Sequence, residues 1–375
     1  MQRIYFDNAA TTSLDKEVLD AMLPYMTEKF GNPSSIYSYG RETKLAVEQA
    51  RKSIAKLLGV HPGELFFTSG GTESTNTAIT AAIRDLGCTR IITSPIEHHA
   101  TLHASEFIHQ SREIRLSYVA LLPGGHVDLA SLESLLKDNP EKTLVTLMHG
   151  NNEIGNILDM EAVGELCRQY EAVFHCDTVQ TIGHYPLDLK KAHVHFINAA
   201  AHKFHGPKGV GLLYVNEDIK IKPFMHGGAQ ERNMRAGTEN VYGIVGMAKA
   251  LEKALAHYEE DKNYIAGLKM YMAARLQKDI PEIAFNGDWD GRSLYTVLNV
   301  SFPKSDKTEM LLFNLDINGI CVSGGSACSS GANTTSHVIA AVNPDTQQVP
   351  VRFSFSRENT MEEIDRVVEK LKELI

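Results

Sequence analysis

The feature that most limits what this chain can fold into is a repeated switch between two hydrophobic periods. Short apolar or β-branched runs recur at residues 65–68, 90–93, 115–119, 144–148, 172–175 and 194–198. Between most of them lie stretches with helical patterning, such as 72–86 and 160–170. Strands alternating with helices need crossover connections, which predicts a mainly parallel sheet buried on both faces. Residues 210–215 add one more strand. In residues 40–58, Leu45, Ala46, Ile54, Leu57 and Leu58 fall largely on one helical face, and Gly59 stands where a helix would stop.

The pattern changes after about Gly237. A helical tract over residues 240–278 contains EKALAHYEEDKNY, with a heavily charged outer face, and reads as a connector leaving a first domain. Strand-like residues 294–302, a helix near 307–318, strand-like residues 351–356 and a closing helix follow. In that helix Ile364, Val367, Val368, Leu371 and Leu374 share one face, opposite Glu362, Glu363, Glu369 and Lys370. The expected architecture is therefore α/β: a large domain over 14–255 with a mainly parallel sheet flanked by helices, and a smaller α+β domain from 1–13 and 256–375.

Composition removes several classes of function. With 375 residues and 43% hydrophobic content the chain has ample core material, which argues against a disordered scaffold. Its apolar runs fall far short of the roughly 20 residues that cross a bilayer. No apolar stretch precedes Asp7, so export through a signal peptide is not expected. The 46 acidic residues outnumber 37 basic ones, for a formal charge of −9, which disfavours a nucleic-acid partner. Cys88, Cys167, Cys176, Cys321 and Cys328 form no CxxC pair, so neither a disulfide framework nor a structural zinc site is expected, and a reducing, cytoplasmic location is. The 16 histidines are scattered, and no metal site is predicted from them.

Four stretches carry chemistry. Thr68-Ser69-Gly70-Gly71-Thr72-Glu73-Ser74 lies between a strand and a helix, where glycines and the first helical N–H groups can hold a phosphate. Alone it is equally a tight turn with a Thr cap. Asp177 closes a strand, at the end of a parallel sheet where ligands bind, and a carboxylate there could pair with a pyridinium nitrogen or simply cap a helix. Lys203, among small residues and glycines in Ala200-Ala201-His202-Lys203-Phe204-His205-Gly206, is either a surface lysine or an amine desolvated for Schiff-base chemistry. Together these three supply anchors for the phosphate, ring nitrogen and aldehyde carbon of pyridoxal phosphate. The fourth, Ser326-Ala327-Cys328-Ser329-Ser330-Gly331, places a thiol in a run of small residues, which reads as a travelling nucleophile or a tolerated surface cysteine.

These motifs resemble, nearly end to end, the pyridoxal-phosphate cysteine desulfurases of the class V aminotransferase superfamily. The resemblance includes Tyr5-Phe6-Asp7-Asn8-Ala9-Ala10-Thr11-Thr12, Gly31-Asn32-Pro33-Ser34-Ser35, Ile96-Glu97-His98, Asn151-Asn152-Glu153-Ile154-Gly155, Gly206-Pro207-Lys208-Gly209 and Arg235-Ala236-Gly237-Thr238-Glu239-Asn240. The Ser-Ala-Cys stretch is similar to the long-loop group associated with iron–sulfur assembly and thiolation. The resemblance implies the type I fold of pyridoxal-phosphate transferases. It implies that Lys203 holds the cofactor, His98 stacks on its ring, Asp177 pairs with the ring nitrogen, Gln180 with the phenolate oxygen, and Asn152 lies beside the ring. Gly71, Thr72 and His202 would bind the phosphate, with Thr238 reaching across from a second subunit of a homodimer.

By the same resemblance Arg352 grips the carboxylate of the substrate L-cysteine, and the Lys203 amine removes its α-proton. The Cys328 thiolate then takes the substrate sulfur, leaving a persulfide and alanine. His98 is the candidate proton shuttle. The sulfur would pass to acceptor proteins such as an iron–sulfur scaffold, a transient cluster iron at Cys328 being the one metal contact this implies. Two positions depart from the family pattern. Ala200 stands where a phosphate-binding Ser is usual, a loss of about 1 kcal/mol for one hydroxyl contact, and Ala229 is a conservative change. A lyase for selenocysteine, an aminotransferase with no need of Cys328, and a cofactor-free scaffold are the competing readings.

Overall fold

The computed structural model describes residues 3–137, 141–325 and 336–375. In chain order it opens with β1 (Ile4–Tyr5), α1 (Lys16–Thr27), α2 (Ser38–Leu58), β2 (Leu65–Thr68), α3 (Gly71–Arg84), β3 (Arg90–Thr93), α4 (His99–Arg112) and β4 (Arg115–Tyr118). Next come α5 (Leu129–Lys137), β5 (Thr143–Met148), α6 (Met160–Gln169), β6 (Val173–Asp177), β7 (Phe196–Ala200) and β8 (Gly211–Val215). The remainder is α7 (Val241–Ala256), α8 (Tyr258–Asp279), β9 (Ala284–Asn286), β10 (Val297–Phe302), α9 (Leu311–Ile317), β11 (Ile320–Cys321), α10 (His337–Val342), β12 (Val349–Ser354) and α11 (Met361–Leu374).

A seven-stranded sheet in the order β2-β8-β7-β6-β5-β3-β4 forms the centre. Only β8 runs against the others, pairing antiparallel with both β2 and β7. The sheet is three-layered because side chains alternate along each strand. In β5, Leu144 belongs to the core shared with α3 and α4 on one face, while Val145 and Leu147 belong to the core that gathers α1, α2, α5, α6 and α7 on the other. The chain leaves β3 outward to β4, then returns to the far side of β3 to form β5. The order of strands therefore reverses between β3 and β5, and a crevice opens there at the strand ends.

A second core gathers β1, α8, β10, β12, α9 and α11 around Phe6, Leu268, Met272, Val300, Phe353, Val367 and Leu371. Its three-stranded sheet β12-β10-β9 is antiparallel. Ile364, Val367, Val368 and Leu371 are buried on the inner face of α11, and Leu374 packs at its margin. The helical tract at 240–278 is two helices broken at His257, not one connector: α7 belongs to the first core and α8 to the second.

Two expectations need correction. Leu45 does not share the buried face of α2; it is exposed, and Ala46, Val47, Ala50, Ile54 and Leu58 make that face instead. The strands expected at 172–175 and 194–198 run later, to Asp177 and Ala200, because their apolar starts lie in the connections. Gly59 does end α2, in the left-handed conformation.

Gly164 on α6 lies against the backbone of Ala192, and a Cβ there would sit 1.8 Å from the Ala192 carbonyl oxygen. Gly164→Ala must push α6 off the segment that leads into β7, so it should lower unfolding free energy by about 1–3 kcal/mol. Equilibrium denaturation with an unchanged midpoint would contradict this packing.

Candidate active site

Because β2, β3, β5, β6 and β7 all run one way, their carboxyl ends meet along one edge, and each delivers side chains there. The turn after β2 brings Gly71 and Thr72, and the segment after β3 brings His98. The segment after β5 brings Asn152, β6 ends in Asp177 with Gln180 just beyond, and the short helical turn after β7 carries His202 and Lys203. All of these line one cavity of about 230 Å³, together with Thr75, Met148, Ala200 and Arg352 from β12. Lys203 thus lies three residues past its strand rather than closing it. Thr238 is not in this cavity; it is exposed elsewhere on the surface. Cys328 lies outside the described residues.

The N-terminal segment forms the remaining wall. Ala9 and Ala10 line the cavity, and their carbonyls accept from Lys203 Nζ at 2.6 and 2.9 Å. The Ala9 carbonyl also accepts from Gln180 Nε2 at 3.0 Å. Asp177 is buried, and its Oδ1 accepts the Val179 N–H at 3.0 Å, which fixes the carboxylate against the cavity. Arg352 is 1% exposed, pairs with Asp7 Oδ1 at 2.6 Å and donates to the Asn152 carbonyl at 2.8 Å. Its Nε is buried with no hydrogen-bond partner among the described residues.

Burial sets the protonation of several groups. It lowers the His98 imidazole; Asp177 opposes the shift and Lys203 reinforces it. His98 Nδ1 accepts the Ala100 N–H at 3.1 Å, capping α4. Burial, with Lys203 and Lys208 adding to it, brings His202 down to about 4, so its ring is neutral near pH 7. His175, under the site, is also held down to about 4 by burial, and its Nδ1 meets Thr146 Oγ1 at 2.7 Å. Thiol burial raises Cys88 to about 12 and lifts Cys167 and Cys176 further, which suits packing residues.

The stretch that carries Thr238 is held from the sheet edge. Glu231, Arg232 and Asn233 all have left-handed backbone conformations, uncommon for three consecutive non-glycine residues. The turn is secured by a buried bidentate pair of Arg51 with Glu231, at 2.9 and 2.8 Å. Glu231 also accepts the Phe67 N–H, and Arg51 donates to the Leu65 carbonyl, so the open side of β2 is satisfied. Arg235 then pairs with Glu73 at the start of α3, beside the glycine turn.

The arrangement suits a flat, anionic, carbonyl-bearing cofactor. A Cβ at Gly71 would meet Val179 at 2.8 Å and reach toward Ala200, so that wall accepts only glycine without adjustment. Gly71, Thr72 and neutral His202 offer N–H and O–H donors at a helix N-terminus, suited to a phosphate. Asp177 stands at the other wall, with the Lys203 amine also on the cavity. Sequence reading assigned no role to Asp7 or to the Ala9 and Ala10 carbonyls; the Tyr5–Thr12 motif was the available signal. It also gave no role to Glu97 or Glu153.

The chain belongs to the aminotransferase class-V family, whose description matches residues 4–367. Among its relatives it is similar to a protein named cysteine desulfurase IscS from Dictyoglomus turgidum, with 41% identity over 99% of this chain and 96% of that one. A protein of the same name from Methanosarcina thermophila is 43% identical over 99% of this chain and 92% of that one. In structure it is similar to a NifS-like protein, with a TM-score of 0.91, 38% identity and 99% of both chains covered. A structure described as SspA in complex with cysteine has a TM-score of 0.81 and 30% identity, covering 96% of this chain and 100% of that one.

Glu97 provides a pH test of this region. Burial raises its carboxyl to about 8, against the hydrogen bond from Ser94 Oγ at 2.8 Å. The unfolded group loses its proton near 4.5, before the folded one does. The stability tied to the protonated form is thus complete below 4.5 and is lost as pH rises toward 8. Glu97→Gln keeps an acceptor for Ser94 and removes the titration. The variant should gain on the wild type by on the order of a few degrees in Tm between pH about 5 and about 8. A Tm difference that does not change with pH would show that Glu97 ionises normally.

Proposed function

We propose that this chain is a pyridoxal-5'-phosphate-dependent cysteine desulfurase, which converts L-cysteine to L-alanine and carries the sulfur as a persulfide on Cys328. The observation that carries this reading is the meeting on one cavity of Asp177 from β6, Lys203 from the turn after β7 and Arg352 from β12. The 41–43% identity to proteins named cysteine desulfurase supports it over an aminotransferase. Ser326-Ala327-Cys328, which an aminotransferase does not need, points the same way.

The cofactor would be held by Lys203 at its aldehyde, by Asp177 and Gln180 at the ring, by His98 over the ring and Asn152 beside it, and by Gly71, Thr72 and His202 at the phosphate. Once bound, the ring supplies an electron sink for negative charge at the substrate α-carbon. The protein supplies positioning and proton transfer. Arg352 suits the substrate carboxylate: its planar guanidinium lines the cavity, and among the described residues its Nε has no acceptor, a place a carboxylate oxygen can take. The Lys203 amine accepts the α-proton. His98, kept largely neutral near pH 7 by its burial, takes up the substrate thiol proton. The Cys328 thiolate forms a bond to the substrate sulfur as the carbon–sulfur bond breaks. The electron pair stays on carbon, which is protonated to alanine.

Residues 14–255 form the cofactor-binding domain in this reading, and 1–13 with 256–375 form the smaller one. The active unit is a homodimer in which Thr238 of the partner subunit completes the phosphate site. Its exposure supports this, as do the exposed Leu19, Leu23 and Met26, spaced along one face of α1. Sulfur acceptors are proteins of iron–sulfur assembly or thiolation, and the location is cytoplasmic. Among the described residues no helix is long and apolar enough to cross a membrane, and no cluster of three metal-ligating side chains is found. This reading calls for neither a membrane nor a nucleic acid as partner, and iron would meet Cys328 only in transit.

Single-turnover reaction of the holoenzyme with L-cysteine tests the reading. It should yield alanine equal to enzyme, with one added sulfur on the peptide containing Cys328. Alanine without that adduct would exclude the persulfide route; pyruvate with free sulfide would show β-elimination instead, and a keto acid that retains the sulfur would show transamination, and either would overturn the reading. Cys328→Ala should bind cofactor normally and form no protein-bound sulfur.

A further inference from the structure

The stretch carrying Cys328 begins and ends at one buried carboxylate. Gly325, the last described residue before it, and Ser336, the first after it, both lie against Glu153. Ser336 Oγ donates to Glu153 Oε2. A Cβ at Gly325 would come 3.1 Å from the same oxygen and 3.0 Å from Ser336 Cβ, and Gly325 has a φ of +155°. Only glycine allows this approach without strain. Glu153 is 0% exposed, and its Oε1 has no hydrogen-bond partner among the described residues. A carboxylate so placed is expensive to bury, and a loop anchor could have been made with an apolar contact instead.

The site and these two ends share the same backbone. Glu153 follows Asn152, which lines the cavity and whose carbonyl accepts from Arg352. The Glu153 N–H donates to Asn151 Oδ1 at 2.8 Å, and its carbonyl accepts from Asn299 Nδ2 at 3.0 Å, so the side chain has a fixed origin. Beside Ser336, His337 Nε2 meets the carbonyl of Glu97 at 2.9 Å, and the next residue, His98, lines the cavity. Before Gly325, the backbone of Ser323 pairs with that of Arg352 in both directions, at 3.3 and 2.6 Å. Each end is thus tied to residues adjoining the cavity, and Glu153 is the side chain common to both.

We propose that Glu153 is a positioning residue for sulfur transfer, holding Gly325 and Ser336 together so that the chain between them starts and ends at a fixed place relative to Asn152 and Arg352. This rests on the reading of Cys328 as the sulfur acceptor and adds to it a residue that touches neither substrate nor cofactor. It predicts a split between binding and transfer. Removing the carboxylate leaves cofactor loading and L-cysteine affinity in place and slows delivery of the thiol.

The test compares wild type, Glu153→Ala, Glu153→Gln and Ser336→Ala, all cofactor-loaded, by the single-turnover rate of persulfide formation on Cys328 per bound cofactor. L-Cysteine affinity is read in parallel from the cofactor absorbance. Glu153→Ala and Ser336→Ala should each slow persulfide formation by about tenfold or more, with affinity changed by less than about twofold. Glu153→Gln, which keeps an acceptor for Ser336, should recover most of the rate. A wild-type rate per cofactor in Glu153→Ala would overturn the proposal, as would a loss of rate matched by weaker cysteine binding. If Glu153→Ala does not fold, Ser336→Ala decides on the same criteria. If the wild type itself leaves Cys328 unmodified, the desulfurase reading falls first, and the role of Glu153 with it.

Discussion

Strand direction is the constraint on which the rest depends. Because β2, β3, β5, β6 and β7 are parallel in sense, five separate stretches of sequence end at the same edge, and the reversal of order between β3 and β5 leaves a crevice there. No local motif assembles the cavity. Gly71 and Arg352 are 281 positions apart in sequence (352 − 71) yet line the same space. Only β8 runs the other way, and none of its residues lines the cavity.

The second determinant is how the interior treats charge. Arg352 is fully buried but meets Asp7 and the Asn152 carbonyl, so its cost is largely compensated, while its Nε–H has no acceptor among the described residues. The histidines near the cavity are pushed the other way: burial keeps His202 and His175 neutral, and lowers His98. A neutral imidazole accepts a proton where an imidazolium cannot. Arg51 and Glu231 show the same economy in a structural role, a buried pair that closes the edge of β2 and secures an unusual left-handed turn. Chemistry and architecture here use one device, which is to desolvate an ionisable group and then supply or withhold its partner.

Much of this was legible in the sequence, for reasons that can be named. Buried parallel strands must be apolar along most of their length, so their positions were visible as runs, and the charged outer face of α11 made its inner face plain. Asp177 and Lys203 were found because each follows such a run. What was hidden depends on contacts between distant parts of the chain. Leu45 is apolar but lies opposite the buried stripe of α2 through Thr43, Val47, Ala50, Arg51, Ile54 and Leu58, a stripe that includes charged Arg51 because it pairs with Glu231. The backbone carbonyls of Ala9 and Ala10 leave no trace in residue type, since any residue carries that group. Glu97 and Glu153 read as polar residues in loops until their burial is known.

Chemical trapping of the cofactor on the protein is the most direct test of the site described here. Borohydride reduction of the purified holoenzyme, followed by peptide mapping, should place the cofactor mass on the peptide containing Lys203 and on no other. A cofactor attached elsewhere, or a protein that yields no adduct after incubation with pyridoxal phosphate, would contradict the assignment of this cavity.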